Sequence, residues 1–370
     1  MTTLTAPATT KINSTKKALV EKLSILERII PSRNSNPLLT ALKVEARAYN
    51  STLVLAGTSL EIDMEASLSA EVQRDASFIV PMHLFAQIIK NLSGDLLTLT
   101  LEGTEVVIAA GGSDFRIQTG DLNAYPPLHF AERSDERVSA AQFRQALTSV
   151  RYAASNEAFQ AVFRGLKFEQ SAGRGRMVAS DGYRVIIQEF SAGQDERNVL
   201  IPARSADEVI RALSKEDQIG LTYGDALLTI TGKDIRMNVK LLDGDFPDYE
   251  RVIPKAVTTT VTGSTVVFRE AVNRVAVLSD KNANNRIELL IRDQRVTLTA
   301  EGDYGRAVDT FETSSKTGED VAIAFNAAFL AESLAHIDGD FTMDISGSTL
   351  PGILRNAART HMAVIVPLRV

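Results

Sequence analysis

A chain of 370 residues with no cysteine and no tryptophan, 44% hydrophobic and 23% charged, has the composition of a folded protein of two or three domains. The missing cysteines exclude disulfide scaffolds, iron–sulfur clusters, thiolate zinc sites and cysteine nucleophiles, no apolar run approaches the ~18 residues of a membrane span, and the start lacks the basic and apolar regions of a secretory leader, so a reducing, cytoplasmic setting is expected. A formal net charge of −6 argues, taken as an average, against an extended basic surface for nucleic acid.

Met1 to Thr10 is mostly Thr and Ala, shows no apolar period, and is expected to be a disordered extension. Leu19, Leu23, Leu26 and Ile30 then recur at helical spacing and predict a helix over 14–32. A short apolar stretch ends at Ala56-Gly57-Thr58. Phe78-Ile79-Val80-Pro81 leads into a second helix over 81–93, with Leu84, Ile88 and Leu92 on its apolar face. Strand-like runs at 96–101, 105–110 and 115–119 are joined at Glu102-Gly103-Thr104 and Gly111-Gly112, which is hairpin chemistry.

This order returns twice. Phe143, Leu147 and Val150 predict a helix over 138–154, Ala179-Ser180-Asp181 stands where Ala56-Gly57-Thr58 stood, and Val199-Leu200-Ile201-Pro202 opens a helix over 202–214 with Ala206, Ile210 and Leu213. Strands at 219–223, 227–231 and 235–241 follow. Phe268, Val272 and Val275 then predict a helix over 268–279, Ala300-Glu301-Gly302 comes next, and Val321 to Phe325 opens a helix over 325–336 with Phe329, Leu330 and Leu334. Leu92, Leu213 and Leu334 are 121 residues apart each time. Three copies of one unit are expected, spanning 1–130, 131–254 and 255–370. Strands outnumber helices and do not alternate with them as in a parallel sheet, so the class is α+β, two helices per unit on antiparallel sheets.

Signals of catalysis are weak. His83, His129, His336 and His361 lie far apart, and no pair has the spacing of a helical metal site. Gly232-Lys233-Asp234 and Gly173-Arg174-Gly175 read as hairpin tips, not phosphate cradles. Asp181-Gly182, Asp243-Gly244 and Asp338-Gly339 read as turns, since none carries the oxygen ladder of a calcium loop. No catalytic group, metal or cofactor is therefore expected. Two other readings stay open: a hydrolase using Asp181 or Asp243 with a metal ion, and a triplicated scaffold that binds proteins or sugars and never encircles DNA.

Charge is unevenly distributed. Each of the three units is −2, with 11, 17 and 12 basic against 13, 19 and 14 acidic residues, yet the six expected helices sum to +5 and the remainder to −11. Lys and Arg are good helix formers on solvated faces, which is one explanation. The other is a helical surface facing a polyanion, with Lys16, Lys17, Lys22, Arg28, Lys90, Arg144, Arg151, Arg211 and Arg274 as sequence-independent phosphate contacts.

The triplication, with Ala179-Ser180-Asp181-Gly182-Tyr183-Arg184, Leu241-Leu242-Asp243-Gly244-Asp245-Phe246-Pro247-Asp248-Tyr249 and the end Val366-Pro367-Leu368-Arg369-Val370, resembles the bacterial sliding-clamp family, the β subunits of DNA polymerase III, from about Lys11 to Val370. The resemblance implies a DNA-clamp fold: a head-to-tail homodimeric ring of six similar domains, helices inside and sheet outside. It implies a non-catalytic subunit that encircles double-stranded DNA, is placed there by a clamp loader, and tethers the replicative DNA polymerase. By the same resemblance, translesion polymerases, ligase and mismatch-repair proteins dock through a short peptide, and the protein works at the nucleoid with no membrane partner. The peptide pocket would comprise Phe163, Ser180, Gly182, Tyr183, Arg184, Val185, Pro247, Arg251 and Val252. Asn326, Phe329, Val364, Ile365, Val366, Pro367, Leu368, Arg369 and Val370 would complete it. Arg33 and Phe115 would join the DNA-facing residues, Phe115 as a wedge. This chain departs from the family at Phe163, usually aliphatic, at Tyr183, commonly His, and at Val366 and Leu368, commonly Met. His83 stands where the family has a basic residue. Loss of flexible Met is expected to narrow the range of partners.

Overall fold

The computed structural model describes residues 9–155, 160–224 and 226–369. The first third runs β1 (Thr10–Thr15), α1 (Lys16–Ile29), β2 (Ala41–Arg47), β3 (Thr52–Thr58), β4 (Ile62–Ser69), β5 (Glu71–Val72), β6 (Ala76–Pro81), α2 (Met82–Asn91), β7 (Leu96–Glu102), β8 (Glu105–Ala110) and β9 (Ser113–Gln118). The middle third runs β10 (Glu136–Ser139), α3 (Ala140–Arg151), β11 (Gly165–Ser171), β12 (Arg174–Ser180), β13 (Arg184–Ser191), β14 (Arg197–Pro202), α4 (Ala203–Ala212), β15 (Gln218–Tyr223), β16 (Leu227–Thr231) and β17 (Ile235–Lys240). The last third holds β18 (Thr259–Ser264), α5 (Thr265–Ala276), β19 (Arg286–Arg292), β20 (Arg295–Gly302), β21 (Gly305–Glu312), β22 (Ser315–Gly318), β23 (Val321–Asn326) and α6 (Ala327–Leu334). It ends with β24 (Asp340–Ile345), β25 (Gly352–Asn356) and β26 (His361–Ile365).

Every one of these helices begins at the residue after a strand, so the repeat is also structural. The joints are capping chemistry: Thr15 Oγ1 accepts from Ala18 N at 3.3 Å, and Asn326 Oδ1 accepts from Ala328 N and Phe329 N at 2.9 and 3.2 Å. These joints also explain why the helices are shorter than their apolar stripes suggest. The 14–32 stripe begins in β1 and stops ahead of Pro31, and the 138–154 stripe begins in β10.

Two expectations are corrected. Thr10 is not part of a loose extension: it opens β1, is buried, and pairs with Leu101, because Thr10, Ile12 and Ser14 alternate onto the covered face. Met1 to Ala8 lie outside the described residues. In α2 the buried face is Met82, Phe85, Ala86 and Ile89, while Leu84 is exposed. Apolar residues occur around that helix at two phases one position apart, and spacing alone does not choose between them. Three other stripes are buried as expected, Leu19, Leu23 and Leu26 in α1, Phe143, Leu147 and Val150 in α3, and Phe268, Val272 and Val275 in α5, whereas Ile210 of the α4 stripe and Phe329 of the α6 stripe are only half-buried.

All ladders between the named strands are antiparallel. The fold packs as two compact units, and they divide the middle third between them. One unit comprises residues up to 141 with 207–241; it holds a five-stranded sheet, β5-β1-β7-β8-β9, and an eight-stranded sheet, β10-β15-β16-β17-β4-β3-β2-β6. The join in the larger sheet is β17 against β4, with Met237 opposite Met64. Lys22–Asp234, Arg28–Glu208 and Arg236–Glu65 ion pairs reinforce it. Helix α1 lies over β3 and β4 beside α2, and Gly57 makes that approach possible, because a Cβ there would sit 2.2 Å from Ile30 Cδ1. The other unit, 142–206 with 242–370, holds a nine-stranded sheet, β14-β11-β12-β13-β26-β25-β24-β18-β22, and a four-stranded sheet, β21-β20-β19-β23. Its join is β13 against β26, with Val185 opposite Val364.

Candidate functional sites

The loop between β12 and β13 is built by two side chains. Ser180 Oγ donates to Arg184 O at 2.7 Å and accepts from Gly182 N at 3.1 Å. Asp181 Oδ1 accepts from Tyr183 N and Arg184 N at 3.0 and 3.1 Å, and its Oδ2 accepts from Arg184 Nε at 3.0 Å. Gly182 takes φ +90°, a conformation that favours glycine, and no neighbour lies where a Cβ would be. The result turns adjacent residues in opposite directions: Tyr183 is 63% exposed and Arg184 is 6% exposed. Both carboxylate oxygens of Asp181 thus accept hydrogen bonds within the loop, and Asp243, the other residue of the hydrolase reading, is exposed. Among the described residues no cluster of three or more His, Asp or Glu side chains could hold a metal ion.

Arg184 is held on all sides. Its guanidinium carbon lies 4.4 Å from the Phe329 ring centre and 5.1 Å from that of Tyr152. Nη1 donates to Glu332 Oε2 at 2.6 Å and Nη2 to Tyr152 O at 3.1 Å. Phe329 stacks on Tyr183 at 6.4 Å, and Tyr152 stacks on His336 at 4.4 Å with the rings 2° from parallel. Burial pushes the Tyr152 phenol up and the His336 imidazole down. Tyr152, Glu332 and His336 were not among the residues expected at this site. The one usable sequence signal was Glu332, the sole charge in a mostly apolar helix.

Beyond β26 the chain continues as a strap. Val366 N donates to Tyr183 O at 3.1 Å, Leu368 N to Ala324 O at 2.8 Å, and Arg286 Nε to Arg369 O at 3.1 Å. Val366, Pro367 and Leu368 are half-buried beside Tyr183 and β23; Val370 lies outside the described residues. Val185 and Val364 pack with Val178, Ile187, Tyr249 and Ile353 in a core cluster, and Ile365 is equally buried, so these three support the site from below. Phe246 packs on that cluster and meets half-buried Phe163 edge-on at 6.0 Å. Buried Tyr249 pins the 246–252 loop by donating to Glu169, leaving Pro247, Arg251 and Val252 exposed, with Arg251 paired to Asp248 at 2.8 Å. Asn326 caps α6 beneath Phe329.

The observed helices keep the uneven charge, eleven Lys and Arg against six Asp and Glu. Most of the DNA-facing candidates are already engaged: Lys22 with Asp234, Arg28 and Arg211 with Glu208, Lys90 with Glu27, Arg274 with Asp309. Lys16 Nζ donates to Leu92 O at 2.5 Å. Lys17 and Arg33 are exposed, and Arg144 and Arg151 are half-buried. His83 is half-buried, its Nε2 3.1 Å from Ile30 O. Arg204 and Arg269 are helical cations the charge pattern had not singled out. Phe115 is on no helix; it sits on β9, the edge of the five-stranded sheet, 43% exposed.

Sequence profiles of the DNA polymerase III beta subunit match the chain three times in order: the N-terminal domain over residues 10–129, the central domain over 137–248 and the C-terminal domain over 250–369. The beta sliding clamp of Streptomyces coelicolor is 26% identical over 97% of this chain and 99% of its own length. Among solved structures, the Thermotoga maritima DNA polymerase III beta subunit is 28% identical with a TM-score of 0.87, covering 98% of this chain and all of that one. A Pseudomonas aeruginosa sliding clamp bound to griselimycin shares the fold at 24% identity, with a TM-score of 0.91 and coverage of 98% and 100%. Matched along almost its whole length by all three domains, the chain belongs to the DNA polymerase III beta subunits, the sliding clamps that serve the polymerase without catalysing a reaction themselves.

Proposed function

We propose that this clamp acts as a head-to-tail homodimer in which β9 of one copy pairs with β21 of the other. The supporting observation is a pair of open sheet edges. Strand β9 ends the five-stranded sheet and carries exposed Phe115; β21 ends the four-stranded sheet and carries exposed Val308, with Tyr304 96% exposed at its hairpin tip. Unpaired edges bearing apolar side chains are templates for another strand. Phe115 is therefore an edge residue in this proposal, not a DNA wedge. Division of the chain near 130 and 254 gives a dimer six domains, each roughly 35 Å across, and six such spheres in a ring leave a hole wider than a ~20 Å duplex. Light scattering is expected to give about 80 kDa, twice the 40.2 kDa chain, and Val308→Asp is expected to give a folded monomer. A wild-type monomer at working concentrations would overturn the dimer.

A closed ring stays on double-stranded DNA by topology, so phosphate contacts need only be weak. Helical cations already paired with carboxylates suit that requirement, with Lys17 and Arg33 the most available. Exposed Tyr183 on Phe329, flanked by the strap of Val366 to Arg369, forms the docking site for an apolar peptide of the replicative polymerase. The clamp loader, translesion polymerases, ligase and mismatch-repair proteins would compete for the same site in the cytoplasm, at the nucleoid. Tethering raises the effective concentration of polymerase at the primer end, and processivity follows. Deleting Val366 to Val370 is expected to abolish polymerase stimulation while dimers persist; full stimulation would remove the pocket.

A further inference from the structure

Five planar groups form one column: His336, Tyr152, Arg184, Phe329 and Tyr183. We propose that Tyr152 is a positioning residue of the docking site, holding the Arg184 guanidinium against Phe329 so that Tyr183 is presented outward; this rests on the docking reading above. An aromatic ring has two faces. His336, parallel at 4.4 Å, fills one face of Tyr152, so the guanidinium 5.1 Å from the ring centre takes the other. The same residue also supplies its carbonyl oxygen to Nη2. Tyr152 is itself fixed from α6, where its hydroxyl reaches Ser333 Oγ at 3.4 Å and the chain leaving the helix brings His336 behind the ring.

The opposite wall is Phe329, which faces the guanidinium at 4.4 Å and Tyr183 at 6.4 Å. Asp181 and Glu332 fix the guanidinium within its own plane, but only the rings fix it along the column. Without the Tyr152 ring, nothing among these contacts presses the Arg184 guanidinium onto Phe329, and the ring on which Tyr183 stacks loses its backing. Arg184 acts here as a structural rod. Three of its five N–H groups already have acceptors within the protein and it is 6% exposed, so it is poorly placed to capture a partner's carboxylate.

The test measures binding of the full-length clamp to the catalytic subunit of the same cell's DNA polymerase III by surface plasmon resonance. Tyr152→Leu removes both ring faces and is expected to weaken binding about tenfold, whereas Tyr152→Phe keeps them and stays within twofold of wild type. Equal, near-wild-type binding by both variants, while Tyr183→Ala loses tenfold or more, would overturn the role of Tyr152 and leave the pocket standing. Equal losses in both variants would assign the effect to the hydroxyl and overturn it as well. Wild-type binding by Tyr183→Ala would instead remove the docking reading. Should Tyr152→Leu fail to fold, His336→Ala removes only the support behind the ring and is expected to cost about threefold; no loss there overturns the column. The Arg184 Nε–H signal in nitrogen-15 NMR, identified by its absence in Arg184→Lys, is expected to exchange faster in Tyr152→Leu and not in Tyr152→Phe.

Discussion

Substituting His361 offers a test of packing two strands from the docking loop, with a magnitude the structure supplies. His361 is 1% exposed on β26, its Nδ1 lies 3.1 Å from Gln188 Oε1, and its Nε2 has no hydrogen-bond partner among the described residues. Burial, assisted by His336 6.5 Å away, holds the imidazole down to about 4. In the unfolded chain the same group titrates near its ordinary 6.5. Between those values the unfolded state binds the extra proton, so stability is complete above pH 6.5 and is lost as pH falls toward 4. One proton with that separation amounts to about 2.5 kcal/mol by pH 4.5, approached at no more than ~1.4 kcal/mol per pH unit. Urea unfolding from pH 8 to 4.5, at one fixed protein concentration because dimerisation adds to stability, is run on wild type and His361→Leu. The leucine variant loses its Gln188 bond at every pH, which offsets the curve without tilting it. Wild type is expected to fall about 2.5 kcal/mol further than the variant across the range. Parallel curves would show that the imidazole is not held neutral and would refute the reasoning.

Asp181→Ala removes two backbone acceptors and the Arg184 partner at once, and is expected to cost about 2–4 kcal/mol in chemical denaturation and to release Tyr183 from its position. Gly57→Ala forces a Cβ into buried Ile30 and is expected to cost about 1–3 kcal/mol, read as a lowered urea midpoint with an unchanged slope. Lys17→Ala combined with Arg33→Ala is expected to lower the salt slope for binding linear duplex by less than about two, because each contact is a weak phosphate contact. A larger change would mean that the surface grips DNA.

Much of the fold is readable where the signal is local. Stripes at three- and four-residue spacing locate the helices α1 to α6, and Gly103 and Gly182 mark turns whose positive φ the structure confirms. The phase of α2 was not readable, since Leu84 and Phe85 are equally apolar and only the tertiary surface selects between them. Nor was the division of the middle third: β17 joins β4, and β13 joins β26, across about 170 residues or more, and each pairing could as well have closed on a nearer strand. At the docking site the chain positions of Tyr183 and Arg184 were evident, but not that one faces out and the other in. That difference depends on Asp181 and on rings 32 residues upstream and 145 residues downstream of Arg184. The charge pattern is a similar case. An excess of helical cations was plain, while their carboxylate partners come from elements remote in sequence, Glu208 for Arg28 and Asp309 for Arg274.

The ring is expected to stay on DNA by topology, with little grip. The direct measurement loads the protein onto nicked circular duplex with a clamp loader and ATP, removes free protein, and cuts the circle once. Stable retention on the circle, followed by rapid loss from the ends after cutting, is the predicted result. Equal retention on circular and linear DNA would contradict it.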